Sequence, residues 1–408
     1  MTQTDRLFLE ILSGALRGEK YNDALKPEEA KALLQEADEH SLLPLIGDAI
    51  SHQSTLSGNT IQGEKARALS QSIRQIIQTN EFLTLLLDAQ LQGLDPIVLK
   101  GVTIRSLYPE PYLRPSVDED ILVSREEARL LHHFFLFKGL TADDPDASPE
   151  TADELSYHKP DSPTYIEMHV SLFEEENAAF EGLNDLFNGA ESRAVRQQIE
   201  DVSVRTLEPT DHLLYLLCHV YKHFLHSGAG IRQVADIGMF AKAHDEEIDW
   251  GRVESSCKEV HIDIFAAAIF KIIKKYLLPE LGKGASAAFS SIRTDEGPLL
   301  EDMLSGGIYG LSDPDRVHSA NMTLTAAEAS REGKGTGHGV LKSLFPGATY
   351  LKNCFPYAKK HPILVPIAWA HRLYRYMKRT SGALRSSMRT IRAGKKRIAM
   401  MKKYGIVK

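Results

Sequence analysis

Three features of the sequence predict an α+β fold, a small mixed sheet flanked by helices with helical regions at both ends. Short β-rich runs (Ile97-Val98-Leu99, Ile121-Leu122-Val123, Tyr165 to Val170) fall within one stretch of the chain. Long segments with apolar residues at helical spacing precede and follow that stretch. Clusters such as Gly93-Leu-Asp-Pro96 and Pro160-Asp-Ser-Pro163 punctuate the change from one period to the other. At 408 residues, 43% of them hydrophobic, the chain is long enough for two or three domains. The pattern divides it into an N-terminal helical region (1–93), a sheet-bearing core (94–207), a helical domain (208–330), and a linker with a basic amphipathic tail (331–408).

Residues 4 to 92 read as a helical platform without chemistry of its own. Leu7, Leu9, Ile11, Leu12 and Leu16 give a first helix its apolar side. Pro27-Glu-Glu opens a second, which carries Leu33 and Leu34. A third, from Ala66 to Leu91, has Ile73, Ile76, Ile77, Phe82, Leu83, Leu85 and Leu86 at helical spacing.

The first strand ends in Lys100-Gly101. An amphipathic segment, Val102 to Tyr108, and a loop with Pro109, Pro111 and Pro115 lead to Asp118-Glu119-Asp120 at the head of the second strand. Alternate strand side chains share a face, so Asp118 and Asp120 project together and Glu119 projects the other way. Two carboxylates on one face of an apolar strand are costly to bury alone. A divalent metal is their usual partner, and oxygen ligands suit magnesium. Ser124-Arg-Glu-Glu then starts a helix that Gly139 can end. Glu154 to His158 and Thr164 to Leu172 read as two strands joined by the Pro160–Pro163 turn. On the second, Tyr165, Glu167 and His169 lie opposite Ile166, Met168 and Val170, giving a polar side that lines a cleft or faces solvent.

The order Lys-Gly, short helix, Tyr-Pro, then Arg114-Pro-x-x-Asp118-x-Asp120-Ile-Leu-Val resembles the polymerase-beta-type nucleotidyltransferase superfamily. More narrowly, it resembles the bacterial group of uncharacterised nucleotidyltransferases. The likeness continues through Tyr165–Val170 and Leu213–Phe240. It implies a metal-dependent enzyme that transfers a nucleoside monophosphate from an NTP such as ATP to an acceptor that the sequence does not identify. Asp118, Asp120 and, by resemblance, Glu167 would be its catalytic acids and would hold two Mg2+ ions. Lys100 would meet triphosphate charge, and Gly101 would let backbone N–H groups approach the phosphates. Arg114 would clamp phosphate with its planar fork, and His169 would stand beside the nucleotide. Two positions depart from the superfamily's pattern. Val102 follows Gly101 where Gly or Ser is usual, and Glu119 separates the acids where an apolar residue is usual. Both departures favour an alternative, a catalytically inactive member serving as a binding or scaffold protein.

His219, His223 and His226 stack at i, i+4 and i+7 on a helix within Asp211–Phe240. Val220 replaces the glutamate of the zinc-hydrolase H-E-x-x-H pattern. Three roles stay open: a metal site, a place beside the nucleotide, and structural bonds between helices or to Asp236. Helices continue to about Arg331, and Arg331 to Val340 reads as a flexible linker. Residues 341–408 contain 17 Lys and Arg and no Asp or Glu, which leaves 1–340 at a formal −24. Such asymmetry implies an anionic partner for the tail: the acidic body, a membrane surface or RNA. Leu344-Phe-Pro346 and Pro362 to Trp369 look like packing anchors, while Trp369 to Arg379 mixes aromatic and basic residues as interfacial helices do.

The three cysteines (Cys218, Cys257, Cys354) have neither metal nor disulfide spacing. The N-terminus shows no signal-peptide pattern, and no apolar run approaches the roughly 20 residues of a membrane span. These observations predict a cytoplasmic protein, with the tail allowing peripheral contact at the inner membrane face.

Overall fold

The computed structural model describes residues 1–53, 61–175, 177–226, 228–307, 314–333 and 383–407, with a few positions between 355 and 371. Four helices come first: α1 (Gln3–Ala15), α2 (Pro27–Glu39), α3 (Leu43–Ala49) and α4 (Gln62–Leu91). The core follows as β1 (Ile97–Val98), α5 (Val102–Arg105), β2 (Glu119–Leu122), α6 (Arg125–Phe137), β3 (Thr141–Ala142), β4 (Glu154–His158), β5 (Tyr165–His169), α7 (Ala190–Arg193), β6 (Val195–Ile199) and β7 (Val202–Thr206). Next come α8 (Pro209–His226), α9 (Ile231–Ala243), α10 (Trp250–Glu259), α11 (Asp263–Ile272), α12 (Lys283–Ala287), α13 (Gly297–Gly306) and α14 (Pro314–Arg331). The last described helix is α15 (Ala383–Lys403).

The strands form one mixed seven-stranded sheet in the order β3-β4-β5-β2-β1-β7-β6, so the fold class is the predicted one. β2 lies between antiparallel β1 and parallel β5, with Asp120 opposite Glu167 and Leu122 opposite His169. The register brings Asp120, Glu167 and His169 to one side. On the other side Ile121, Ile166 and Met168 join α4 and α6 in a core with Phe82, Leu86, Leu131 and Phe135. A second, larger core unites α1–α3 with α8, α9, α11 and α13 and reaches the sheet at Ile97, Leu99 and Leu122. Ser124 caps α6 through a reciprocal bond pair with Glu127, as its sequence predicts.

Two features differ from expectation. The β6–β7 hairpin was not anticipated, although Val202, Val204 and Thr206 alternate with Ser203 and Arg205. The first half of helix α4 is inverted relative to its apolar pattern, while Phe82, Leu83 and Leu86 are buried as expected. Ile73, Ile76 and Ile77 are exposed, whereas Ser72, Gln75 and Gln78 are buried. The cause is hydrogen bonding. Gln75 Oε1 accepts the Ser116 backbone N–H at 2.6 Å, and Gln78 Nε2 donates to the Val117 carbonyl at 3.1 Å. The platform thus positions the loop that delivers Asp118 and Asp120.

The end of the tail packs on the body. Ile398, Met400, Met401, Tyr404, Ile406 and Val407 join the larger core, and Tyr404 donates to the Asp295 carbonyl at 2.9 Å. Buried Arg397 donates to the carbonyls of Phe224 and His226, a cation at the C-terminus of α8. Arg392, Lys395, Lys396, Lys402 and Lys403 remain exposed. Leu344-Phe-Pro346, Trp369, Cys354 and the linker beyond Gly333 lie outside the described residues. Among the described residues, no helix is long and apolar enough to cross a membrane.

Candidate metal and nucleotide site

The site grows from the parity of two neighbouring strands. Asp120 on β2 and Glu167 and His169 on β5 place one ligand atom each within 4.8 Å of the others. His169 Nε2 lies 3.1 Å from Asp120 Oδ1 and 3.9 Å from Glu167 Oε2. Its Nδ1 lies 3.4 Å from Glu154 Oε2 on the adjoining β4. Nε2 donates to Asp120 here; a bound cation would take that proton's place, with Glu154 beside Nδ1 as the outer carboxylate that orients a ligating imidazole.

The charge balance points the same way. Burial pushes the Glu167 carboxyl up to about 8, reinforced by the Asp120 and Asp118 carboxylates. Lys100 lies between the two aspartates, with Nζ 3.2 Å from Asp118 Oδ2 and 3.1 Å from Asp120 Oδ2. Partial burial pushes the Asp118 carboxyl up, but Lys100 and then Arg232 outweigh it and hold it down at about 2. Crowding of three acids around one ammonium keeps Glu167 protonated near neutral pH, and a divalent cation would take the place of that proton. The residues present therefore fit a metal. Asp118 sits just before β2, on the far side of Lys100, and is outside the converging set. His169, expected beside the nucleotide, lies among the acids.

The strand bearing Lys100 is fixed from behind. Fully buried His212 meets the Leu99 carbonyl through Nε2, and the Thr206 hydroxyl donates to the Val98 carbonyl at 2.7 Å. After Lys100 the chain turns at Gly101, with φ at +79°. A Cβ there would sit 2.0 Å from Glu119 Oε2, so only glycine fits. Glu119 is fully buried, pairs with Arg105, and accepts the Val102 N–H at 2.8 Å. The residue at Gly101 and the two departures at Val102 and Glu119 thus form one buried unit. Of the backbone N–H groups at the Gly101 turn, that of Val102 is bonded to a carboxylate.

Arg114 is likewise engaged. Its Nε donates to Asp236 Oδ1 at 3.0 Å and its Nη2 pairs with Oδ2, while the Tyr108 hydroxyl donates to Oδ1 at 2.7 Å. This buried network ties the proline loop to α9. It also takes the aspartate that was a possible partner for the histidines. His219 and His223 instead meet each other, Nε2 to Nε2 at 3.2 Å. Burial, then the nearby Lys100 charge, holds both well below the usual histidine range. His226 turns toward Glu174, 3.7 Å away. Among the described residues these histidines gather no third ligand.

A cleft opens beside this cluster, lined by Lys100, Gly101, Arg114, Asp118, His219, Arg232 and Gln233, among others. Arg232 and Gln233 had no assigned role in the sequence reading. The available signal was Gly228-Ala-Gly230 followed directly by a helix start bearing arginine.

A mixed sheet with converging acids, an imidazole and a lysine beside a basic cleft defines an α+β protein with a candidate divalent-cation centre. Comparison with protein families is more specific. Residues 26–277, more than half of the chain, match the family described as uncharacterised nucleotidyltransferase, and the chain belongs to that family. Neither the curated proteins nor the solved structures contain a match.

Proposed function

We propose that this nucleotidyltransferase uses a divalent cation to transfer a nucleoside monophosphate from an NTP to an acceptor hydroxyl. The observation that carries the reading is the convergence of Asp120, Glu167 and His169 beside Lys100 and Asp118. In this transfer the acceptor oxygen bonds to the α-phosphorus, the bond from that phosphorus to the bridging oxygen breaks, and pyrophosphate leaves. Catalysis of that step is mainly charge neutralisation and positioning. Asp120, Glu167 and His169 would hold the cation, which supplies positive charge to the reacting phosphate and acidifies the acceptor hydroxyl. Magnesium suits the carboxylates, and the imidazole extends the fit to manganese. Asp118 completes the acidic rim, and Lys100 neutralises negative charge across it.

The inactive-member alternative rested on Glu119 and Val102. Both now have a structural explanation in the turn behind Lys100, so neither weighs against activity. The test is transfer of label from an α-labelled NTP into acceptor-containing extract, with Mg2+ or Mn2+ and pyrophosphate release measured in parallel. Wild-type protein should transfer label, and Asp120→Asn should abolish transfer while keeping its melting temperature. Undiminished transfer by that variant would refute the assignment.

A further inference from the structure

Two anion-binding groups close to the Lys100–Gly101 turn are held elsewhere, the Val102 N–H by Glu119 and the Arg114 fork by Asp236. A triphosphate at the cation centre therefore needs anion-binding groups from another element. Helix α9 presents them. Its first turn lines the cleft together with Lys100, Gly101 and Asp118. Arg232 in that turn is only 4% exposed, and its Nη1 donates to the Pro115 carbonyl at 2.5 Å. That bond braces the guanidinium against the loop leading to Asp118. The neighbouring Gln233 is 6% exposed.

Gln233 supplies the independent sign of a ligand. Its Oε1 accepts the Gly230 N–H at 2.9 Å, and because only the amide oxygen can accept, the amide's orientation is fixed. Nε2 is then a buried donor with no hydrogen-bond partner, in a residue that lines the cleft. Buried donors are almost always satisfied, so an orphan beside two buried cations and a helix N-terminus marks the place of an acceptor. Lys100 already lines the same cleft and now spans Asp118 and Asp120. A cation on the acids would release its ammonium toward an anion.

Building on the nucleotidyl-transfer reading, we propose that the cleft between the Lys100–Gly101 turn and the first turn of α9 is a polyphosphate subsite. Lys100, Arg232, Gln233 Nε2 and the positive end of α9 hold the β- and γ-phosphates, the part of the NTP that leaves as pyrophosphate. The base and ribose lie outside it. The subsite should therefore respond to the number of phosphates and be indifferent to the nucleoside.

The test is calorimetric binding of ATP, AMP and inorganic pyrophosphate with Mg2+ to the full chain. Gln233→Glu keeps the acceptor for the Gly230 N–H while replacing the Nε2 donor with a carboxylate oxygen. It should weaken ATP and pyrophosphate at least tenfold, leave AMP unchanged, and preserve the melting temperature. Arg232→Gln provides a second variant should the first be unstable, with the same selective loss expected. Wild-type affinity for ATP and pyrophosphate in a folded variant would overturn the subsite and leave the nucleotidyl-transfer reading standing. Equal loss of AMP would also overturn it, by showing a general effect on the site. A wild-type protein that binds neither ATP nor pyrophosphate would overturn both.

Discussion

The buried pair Glu119–Arg105 offers a sharp test of how the turn behind Lys100 is built. Both side chains are essentially inaccessible, at 0% and 1%. Arg105 also donates to Ser116 Oγ and, at 3.1 Å, to Thr79 Oγ1, while Glu119 takes the Val102 N–H. Burial outweighs the mutual attraction on both sides, raising the Glu119 carboxyl and lowering the Arg105 guanidinium. The pair therefore confers geometry more than net stability, but breaking it strands a buried charge. Removing one partner of such a pair costs about 3–5 kcal/mol. Glu119→Ala should lose about 4 kcal/mol in urea denaturation, and Arg105→Met a similar amount. The double variant should lose well under their sum, with a coupling energy of about 2–3 kcal/mol, because neither charge is then left alone. It should not recover fully, since the Val102 N–H still lacks its acceptor. Glu119→Ala within about 1 kcal/mol of wild type, or strictly additive variants, would show that Glu119 does not brace the turn.

Asp236→Ala removes the carboxylate paired with the buried Arg114 guanidinium and should cost about 3–5 kcal/mol in the same assay; unchanged stability would show that this pair does not tie the proline loop to α9. His212 predicts acid sensitivity. Burial lowers its pKa to about 3, so the folded state keeps it neutral while the unfolded chain protonates below about 6.5. Its contribution is thus intact above that pH and falls as pH drops toward 3, by roughly 2 kcal/mol between pH 6 and 4. His212→Gln should flatten this part of the stability–pH curve by about one proton, and an unchanged slope would refute the assignment. Deleting residues 393–408 removes Arg397 from α8 and Tyr404 from the core, so the melting temperature should fall. An unchanged melt, with full-length but not truncated protein pelleting on anionic vesicles, would favour the membrane role instead.

Much of the site was legible in the sequence because strand geometry carries it. The alternation D-x-D on one strand and Y-x-E-x-H on another put Asp120, Glu167 and His169 on polar strand faces, but Glu167 joined the aspartates only by resemblance, and the β2–β5 register that gathers the three was not legible. The alternation also turned Glu119 to the opposite side. What Glu119 does there was not legible, since its partners lie 14 positions away at Arg105 and 17 away at Val102. Helix α4 misled for a related reason. An apolar period predicts which face is buried only where packing decides, and here the loop's need for hydrogen bonds from Gln75 and Gln78 wins. Arg114 and Asp236 are separated by 122 residues, so no local pattern announces their bond. The same applies to Glu154, which reaches His169 only through the β4–β5 register.

A divalent-cation centre of Asp120, Glu167 and His169 should make nucleoside-triphosphate binding depend on the cation. Calorimetric titration of a non-hydrolysable NTP analogue into the full-length protein, with and without Mg2+ or Mn2+, tests it most directly. Binding should require the cation and be lost in Asp120→Asn at unchanged melting temperature. Equal affinity without the cation, or full affinity in the Asp120→Asn variant, would contradict it.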